Sequence, residues 1–341
     1  MQKKSATLTD IANHLDIDVS TVSKALKDHP KISEKTKVKV REAARQLNYH
    51  PNHIATALVK GRSNLTGVMV PFTDENFFAA AIRGIDDVLK NEGYRIIIFQ
   101  SYDNPSVEIN NIETMLQTKV DGIIASHAMK TENFEHFQSV LDQHIPLVLF
   151  DRFNDKIDSD VIAIDDFKGA YKAVSHLIDQ GCRKIAHISG TQTVHIYNER
   201  IRGYKRALQE HDLPYDPEYI LESDMSLEGG RKKTSALLAR EILPDAIFCS
   251  NDYTALGAIQ VLKEEGIKIP EQVAIVGFSN EDFTTFVTPT ITTVDQHSRQ
   301  MGRIAAQHFL NQISNRQETI LPQKTILAPE LIIRESSLKK R

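Results

Sequence analysis

TLTDIANHLDIDVSTVSKAL, residues 7–26, holds two short amphipathic repeats on either side of a polar turn. Leu8, Ile11, Ala12 and Leu15 fall at i, i+3, i+4 and i+7, the spacing of one helix face, and Thr7 or Thr9 can cap the start. Asp16, Ile17 and Asp18 make the turn. A second helix over 19–26 then turns Val22, Ala25 and Leu26 inward and Ser20, Thr21 and Lys24 outward. After the polar loop KDHPK, Ser33 and Glu34 open a third helix to about Leu47, with Val38, Val40, Ala44 and Leu47 as its expected core positions. Two short helices across a tight turn, braced by a third, form a helix-turn-helix, whose second helix fits the major groove. Small hydroxyls and a lysine on that helix can approach base edges closely. The periodicity also allows a three-helix cluster with no DNA role.

Working outward, Pro51 breaks the chain after the third helix, and Asn52 can cap a short helix from His53 to Val59 holding Ile54, Ala55 and Leu58. A helix so short forms only against a partner, which suits an order–disorder switch. An ordinary linker is the other reading. Charge separates this head from the rest: residues 1–62 carry a formal +6 and the remainder -10, within a chain of 341 residues at -4. A basic head on an acidic body directs phosphate contacts to the head, although a solvated basic face would read the same way.

The length suits two or three domains, and 41% apolar residues can build real cores. No run of about 18 apolar residues occurs, and MQKKSATLTD lacks the apolar stretch of a secretory signal, so a cytoplasmic protein is expected. Cys182 and Cys249, each beside an apolar run, read as reduced, part-buried thiols rather than a disulfide or metal site.

From Ser63 the pattern changes. Apolar runs at 65–71, 94–100, 120–126 and 145–150 alternate with helical stretches near 77–91, 105–118 and 131–143. The cadence repeats through strands at 161–165, 184–189, 219–224, 245–250 and 273–278. Continuous apolar strands between helices mean parallel sheets covered on both faces, here in two doubly wound halves. Ligands of such folds sit at the carboxyl ends of the strands. No G-x-G-x-x-G, P-loop, G-x-S-x-G or H-E-x-x-H accompanies them, so nucleotide binding and hydrolysis lack support.

The head closely resembles that of the lactose-repressor (LacI/GalR) family. The resemblance rests on VSTVSKAL, on Ser33, Thr36 and Val40 in the third helix, and on LNYHPN followed by Ala55 and Leu58. It implies DNA contacts from Thr7, Val19, Ser20, Thr21, Ser23 and Lys24, with Val19 and Ser20 reading base identity. It further implies a minor-groove hinge helix through Asn52, His53 and Ala55, with Leu58 wedged into the central base step. Thr56 departs from the family's usual Arg or Gln. The likeness continues to residue 337 through FDR (150–152), Arg200 with Gly203 and Tyr204, SNDYTALGAI, VGFSNED and ELIIRESS.

That likeness implies an α/β body of the periplasmic-binding-protein type behind a small all-α head. The expected divisions are 1–50 for the head, 51–62 for hinge and linker, and 63–341 for effector binding and dimerisation. Within the body, an N-subdomain takes about 63–162 and 294–326, and a C-subdomain about 163–293 and 327–337. The implied effector cleft contains Phe77 or Phe78 as an aromatic plate, Asp151 with Arg152, Arg200, Asn251 and Gln296, with Ser279 where relatives usually carry Asp. Met225 likewise stands where relatives often have an aromatic. A sugar, with its apolar ring face and many hydroxyls, suits one aromatic plate and several rigid polar groups.

The expected protein is therefore a ligand-switched repressor of carbohydrate-utilisation genes. It acts as a homodimer on a pseudo-palindromic DNA operator, without catalytic residues, metal or cofactor, and with a sugar or sugar derivative as effector. SLKKR follows ELIIRESS with no heptad helix, so no tetramer is expected. An activator, a regulator needing a partner protein or a non-sugar ligand, and a solute-binding transport module are the alternatives.

Overall fold

The computed structural model describes residues 6–49, 62–240, 243–315 and 321–339. The expected hinge positions Asn52, His53, Ala55 and Leu58 lie outside the described residues. The chain divides into two compact units, Met1–Ser63 and Asn64–Arg341.

The first unit is built from α1 (Leu8–Leu15), α2 (Val19–Leu26) and α3 (Glu34–Gln46). Thr7 caps α1 in a reciprocal box with Asp10, Asp18 caps α2 through the Ser20 N–H at 2.7 Å, and Ser33 caps α3. Ile11, Ala12, Val22, Ala25, Val40, Ala43 and Ala44 form its core. Val38, expected inside, is 48% exposed, while its neighbour Lys37 is buried. The reason is an ion pair: Lys37 Nζ meets Asp28 at 3.1 Å and Glu34 at 2.6 Å, pinning α3 to the loop after α2 while its aliphatic stem packs inward.

The second unit carries three sheets. The largest is parallel throughout, in the order β11-β5-β4-β3-β1-β2. Its strands are β1 (Leu65–Val70), β2 (Arg95–Gln100), β3 (Gly122–Ala125), β4 (Leu147–Phe150), β5 (Asp160–Ile164) and β11 (Lys324–Leu327). Side chains alternate between its faces. Val68, Val70, Ile124, Val148 and Phe150 pack under α4 (Asn76–Leu89) and α11 (Ser298–Ser314). Met69, Ile123, Leu147 and Leu149 pack under α5 (Pro105–Gln117) and α6 (Glu135–Asp142). Gly84 and Gly302 let the backbones of α4 and α11 touch, since a Cβ at either would strike the opposing chain.

A second parallel sheet, β7-β6-β8-β9, comprises β6 (Ile185–Ser189), β7 (Ile220–Glu222), β8 (Ala246–Cys249) and β9 (Ala274–Val276). It lies between α7 (Asp166–Asp179) with α8 (His195–Glu210) and α9 (Leu227–Leu238) with α10 (Asp252–Glu264). The antiparallel pair β10 (Thr293–Asp295) and β12 (Glu330–Ile332) packs on this half, with Val294 in the core beneath α7 and α8. The return to the six-stranded sheet therefore lies beyond Asp295.

The expected helix near 131–143 begins only at Glu135. Buried Glu108 holds the preceding loop by accepting from the Ala128 N–H, from Thr131 Oγ1 at 2.7 Å and from His136 Nε2 at 2.9 Å. No described helix is long and apolar enough to cross a membrane.

Candidate functional site

In the head, α2 presents Val19, Ser20 and Lys24 to solvent, with Thr21 and Ser23 half-buried beside them. Val19 is 39% exposed, unusual for a valine opening a helix whose Val22 and Ala25 form core. Exposure of an apolar side chain next to small hydroxyls suits van der Waals and hydrogen-bond contact with base edges. Thr7 is exposed, but its hydroxyl is engaged with Asp10 at 2.7 Å. Lys37 and Arg41 face Asp28, and Lys37 also Glu34, so these charges are balanced within the head.

In the body, a cavity of about 190 Å³ opens between the two parallel sheets at the carboxyl ends of their strands. Phe77, Phe78, Asp151, Arg152, Arg200, Asn251, Ser279 and Gln296 all line it. Strand ends deliver them: Asp151 and Arg152 follow β4, Asn251 follows β8, Ser279 follows β9 and Gln296 follows β10.

Asp151 stands in the left-handed region at φ 60° and receives only a long bond, 3.4 Å, from Ser126 Oγ. Burial raises its carboxyl above the ordinary range, against the pull of Arg152. Arg152 does not pair closely with Asp151, whose Oδ2 is 3.9 Å from Nε; its Nη1 bonds Asp103 instead. The Arg152 Nε donor finds no hydrogen-bond partner among the described residues.

Arg200 is almost fully buried. Its Nε and Nη2 reach Asp166 at 2.8 and 2.7 Å, Nη1 donates to the Ser250 carbonyl, and Nη2 lies 3.4 Å from Gln296 Oε1. The guanidinium stacks over Phe278, 3.7 Å from the ring centre. Burial pushes the Asp166 carboxyl up to about 7 although Arg200 pulls it down. Gln296 passes the network on by donating to Ser279 Oγ at 2.8 Å. Asn251 caps α10 and donates to the Met225 carbonyl at 2.7 Å. Phe77 and Phe78 meet edge to face with centroids 5.0 Å apart, and both also belong to the core beneath α4.

The cavity also recruits residues that the sequence reading did not single out: Glu75, Asp103, Tyr197, Asp224, Asp252 and Glu281. Asp103, Asp224 and Asp252 each lie within three residues of a strand end, and Tyr197 sits one helical turn before Arg200 on α8, so position alone could have found them. Burial pushes Glu75 and Asp252 each up to about 7.

Glu281 has a separate role. It follows β9, yet accepts the N–H groups of Asn76 and Phe77, at 3.0 and 3.2 Å, at the start of α4 over the other sheet. Asn76 Nδ2 adds a bond to Asp282 at 3.2 Å. No side chain of α4's own N-cap performs this capping. A carboxylate from one half thus closes the helix N-terminus of the other. Across the cavity, Met129 packs on the apolar group of Val194, Ile196, Tyr197 and Met225.

The lacI family of bacterial regulatory proteins matches residues 7–52, and a periplasmic binding protein-like domain matches 174–337. The transcriptional repressor PurR of Haemophilus influenzae (strain PittEE) is 31% identical over 332 residues, covering 97% of this chain and 98% of that protein. The transcriptional regulator CelR, solved as a complex with cellobiose, aligns over 97% of this chain and 99% of its own at 26% identity and a TM-score of 0.74. A lac repressor dimer bound to operator and the anti-inducer ONPF shares the fold, with a TM-score of 0.86 at 23% identity over 98% of this chain and 100% of that one. With a helix-turn-helix head, an α/β body and relatives matched end to end, this chain belongs to the lacI family of bacterial regulatory proteins, DNA-binding transcriptional regulators and not enzymes.

Proposed function

We propose that this regulator is a cytoplasmic repressor of carbohydrate-utilisation genes whose operator affinity is set by a sugar-derived effector in the cavity. One observation carries the reading: the cavity takes polar groups from both halves of the body, so a ligand that bridges them favours one closure angle. Phe77 and Phe78 offer apolar faces, and Asp151, Arg152, Arg200, Asn251, Ser279 and Gln296 supply donors and acceptors. CelR, the relative solved with cellobiose, supports a sugar. In the head, Thr7, Val19, Ser20, Thr21, Ser23 and Lys24 contact the operator. Asn52, His53, Ala55 and Leu58 serve as the hinge.

The active species is a homodimer, because one head offers little surface for specificity and two-fold symmetry doubles it. The body supplies a surface for it: Ile98 on the edge strand β2, Tyr102 and Ile109 are exposed, as is Phe286 on the other half. Sedimentation at micromolar concentration is expected to give a dimer; a stable monomer or tetramer contradicts this.

Selection of an operator from random duplexes, followed by anisotropy titrations with pentoses, hexoses, disaccharides and purine bases, tests the whole reading. A pseudo-palindrome is expected, with at least one sugar weakening its binding. A response to purines alone overturns the sugar assignment.

A further inference from the structure

Resting on the reading of this cavity as the effector site, we propose that it selects its effector by charge, taking polyhydroxyl ligands that carry a protonated amine and rejecting phosphorylated or carboxylated ones.

Acidic groups on the walls outnumber basic ones. Among the described residues, six carboxylates and two guanidiniums line the space, with no lysine or histidine. Arg152 acts on Asp103, Asp151 and Glu75 together, and Arg200 adds a pull on Asp151. The closest bond of Arg152 goes to Asp103, leaving Asp151 with one long hydroxyl contact. The Glu75 carboxylate accepts no hydrogen bond from any described residue. Arg200 is matched by Asp166, its neighbour outside the lining. Every guanidinium nitrogen of Arg200 is bonded already and Arg152 Nη1 is held by Asp103, so Arg152 Nε is the donor left over.

Three of the helix N-termini at the cavity, the other usual anion seats, are filled as well. Glu281 occupies the start of α4, and Asn251 accepts the Thr254 N–H at the start of α10. Ser226 does the same for Gly229 at the start of α9, where Asp224 accepts from Ser226. An anionic effector would meet an acceptor already seated at each of these three positions. Asp151, by contrast, has only the long contact from Ser126 and the Glu75 carboxylate has no donor among the described residues; burial pushes both carboxyls up, and the charge of Asp151 adds to the rise at Glu75. A ligand ammonium beside hydroxyl donors satisfies both and relieves that repulsion.

Calorimetry on the full chain at pH 6.5 tests this with matched sets: glucose, glucosamine, glucuronate and glucose 6-phosphate, then cellobiose and the glucosamine disaccharide. In whichever size class binds, the amine-bearing member is expected to bind at least about tenfold tighter than its neutral counterpart, and the anions to give no heat. Glu75→Gln and Asp151→Asn are each expected to cut that preference severalfold, with thermal melts reporting whether each variant folds. Glucuronate or the phosphate binding as tightly as glucose overturns the charge proposal and leaves the sugar reading standing. Equal affinity for amine and neutral members overturns the amine preference. Silence from every sugar overturns the sugar reading and this proposal together.

Discussion

Arg200→Ala is expected to destabilise the body by about 3 kcal/mol, the cost typical of leaving one member of a buried ion pair alone. The substitution strips Asp166 of both its bonds, frees the Ser250 carbonyl, and removes the cation stacked on Phe278. A loss of that size lowers the melting temperature of a unit this large by roughly 6–12 °C. From the sequence alone, Arg200 reads as a ligand-facing side chain whose loss abolishes the effector response and leaves operator binding intact. The geometry adds that its donors are committed to the cavity floor, so stability falls with the response.

The pH dependence has a definite sign. Asp166 is already raised to about 7, and removing the guanidinium raises it further. A carboxyl raised above its unfolded value makes the folded state hold its proton longer, so stability falls as pH rises between the two values. The destabilisation by Arg200→Ala is therefore expected to be larger at pH 8 than at pH 6. Urea melts at both values measure it, and an equal loss at both shows that Asp166 is not the residue left behind.

Glu281→Ala is expected to weaken effector binding by about 30- to 150-fold. Two backbone N–H groups donate to this one carboxylate across the cleft, and hydrogen bonds to a charged group contribute about 1.5–3 kcal/mol each. Water recovers part of that once the cleft opens, so about 2–3 kcal/mol of bias toward the closed form remains to be lost. Glu281→Gln keeps an acceptor without the charge and is expected to fall between. Calorimetry gives the affinities, and small-angle scattering gives the shape; an unchanged radius of gyration with unchanged affinity refutes the latch.

Both predictions depend on features of unequal legibility. The strand and helix cadence was readable because each central parallel strand is buried on both faces and each helix repeats on its own period. The eight expected cavity residues converge because strand ends converge in this fold. Val38 misled because a valine in a helical repeat reads as core, whereas it lies off the face of Val40, Ala44 and Leu47, and the position that completes that face is Lys37, held by its ion pair with Asp28. Glu281 could not be found at all. Its meaning arises from α4, more than 200 residues earlier, whose first N–H groups lack a local cap. The partner choice of Arg152, Asp103 over adjacent Asp151, is likewise set by the arrival of the loop after β2.

The measurement that bears most directly on the switch is reciprocal titration: operator affinity with and without saturating effector, and effector affinity with and without operator. If the cavity and the head are linked through one conformational equilibrium, the two ratios must be equal. The expected result is a weakening of each by the other, by the same factor of about 5–150, with both ratios falling toward one in Glu281→Ala. Operator affinity that does not change when the cavity is saturated contradicts the account.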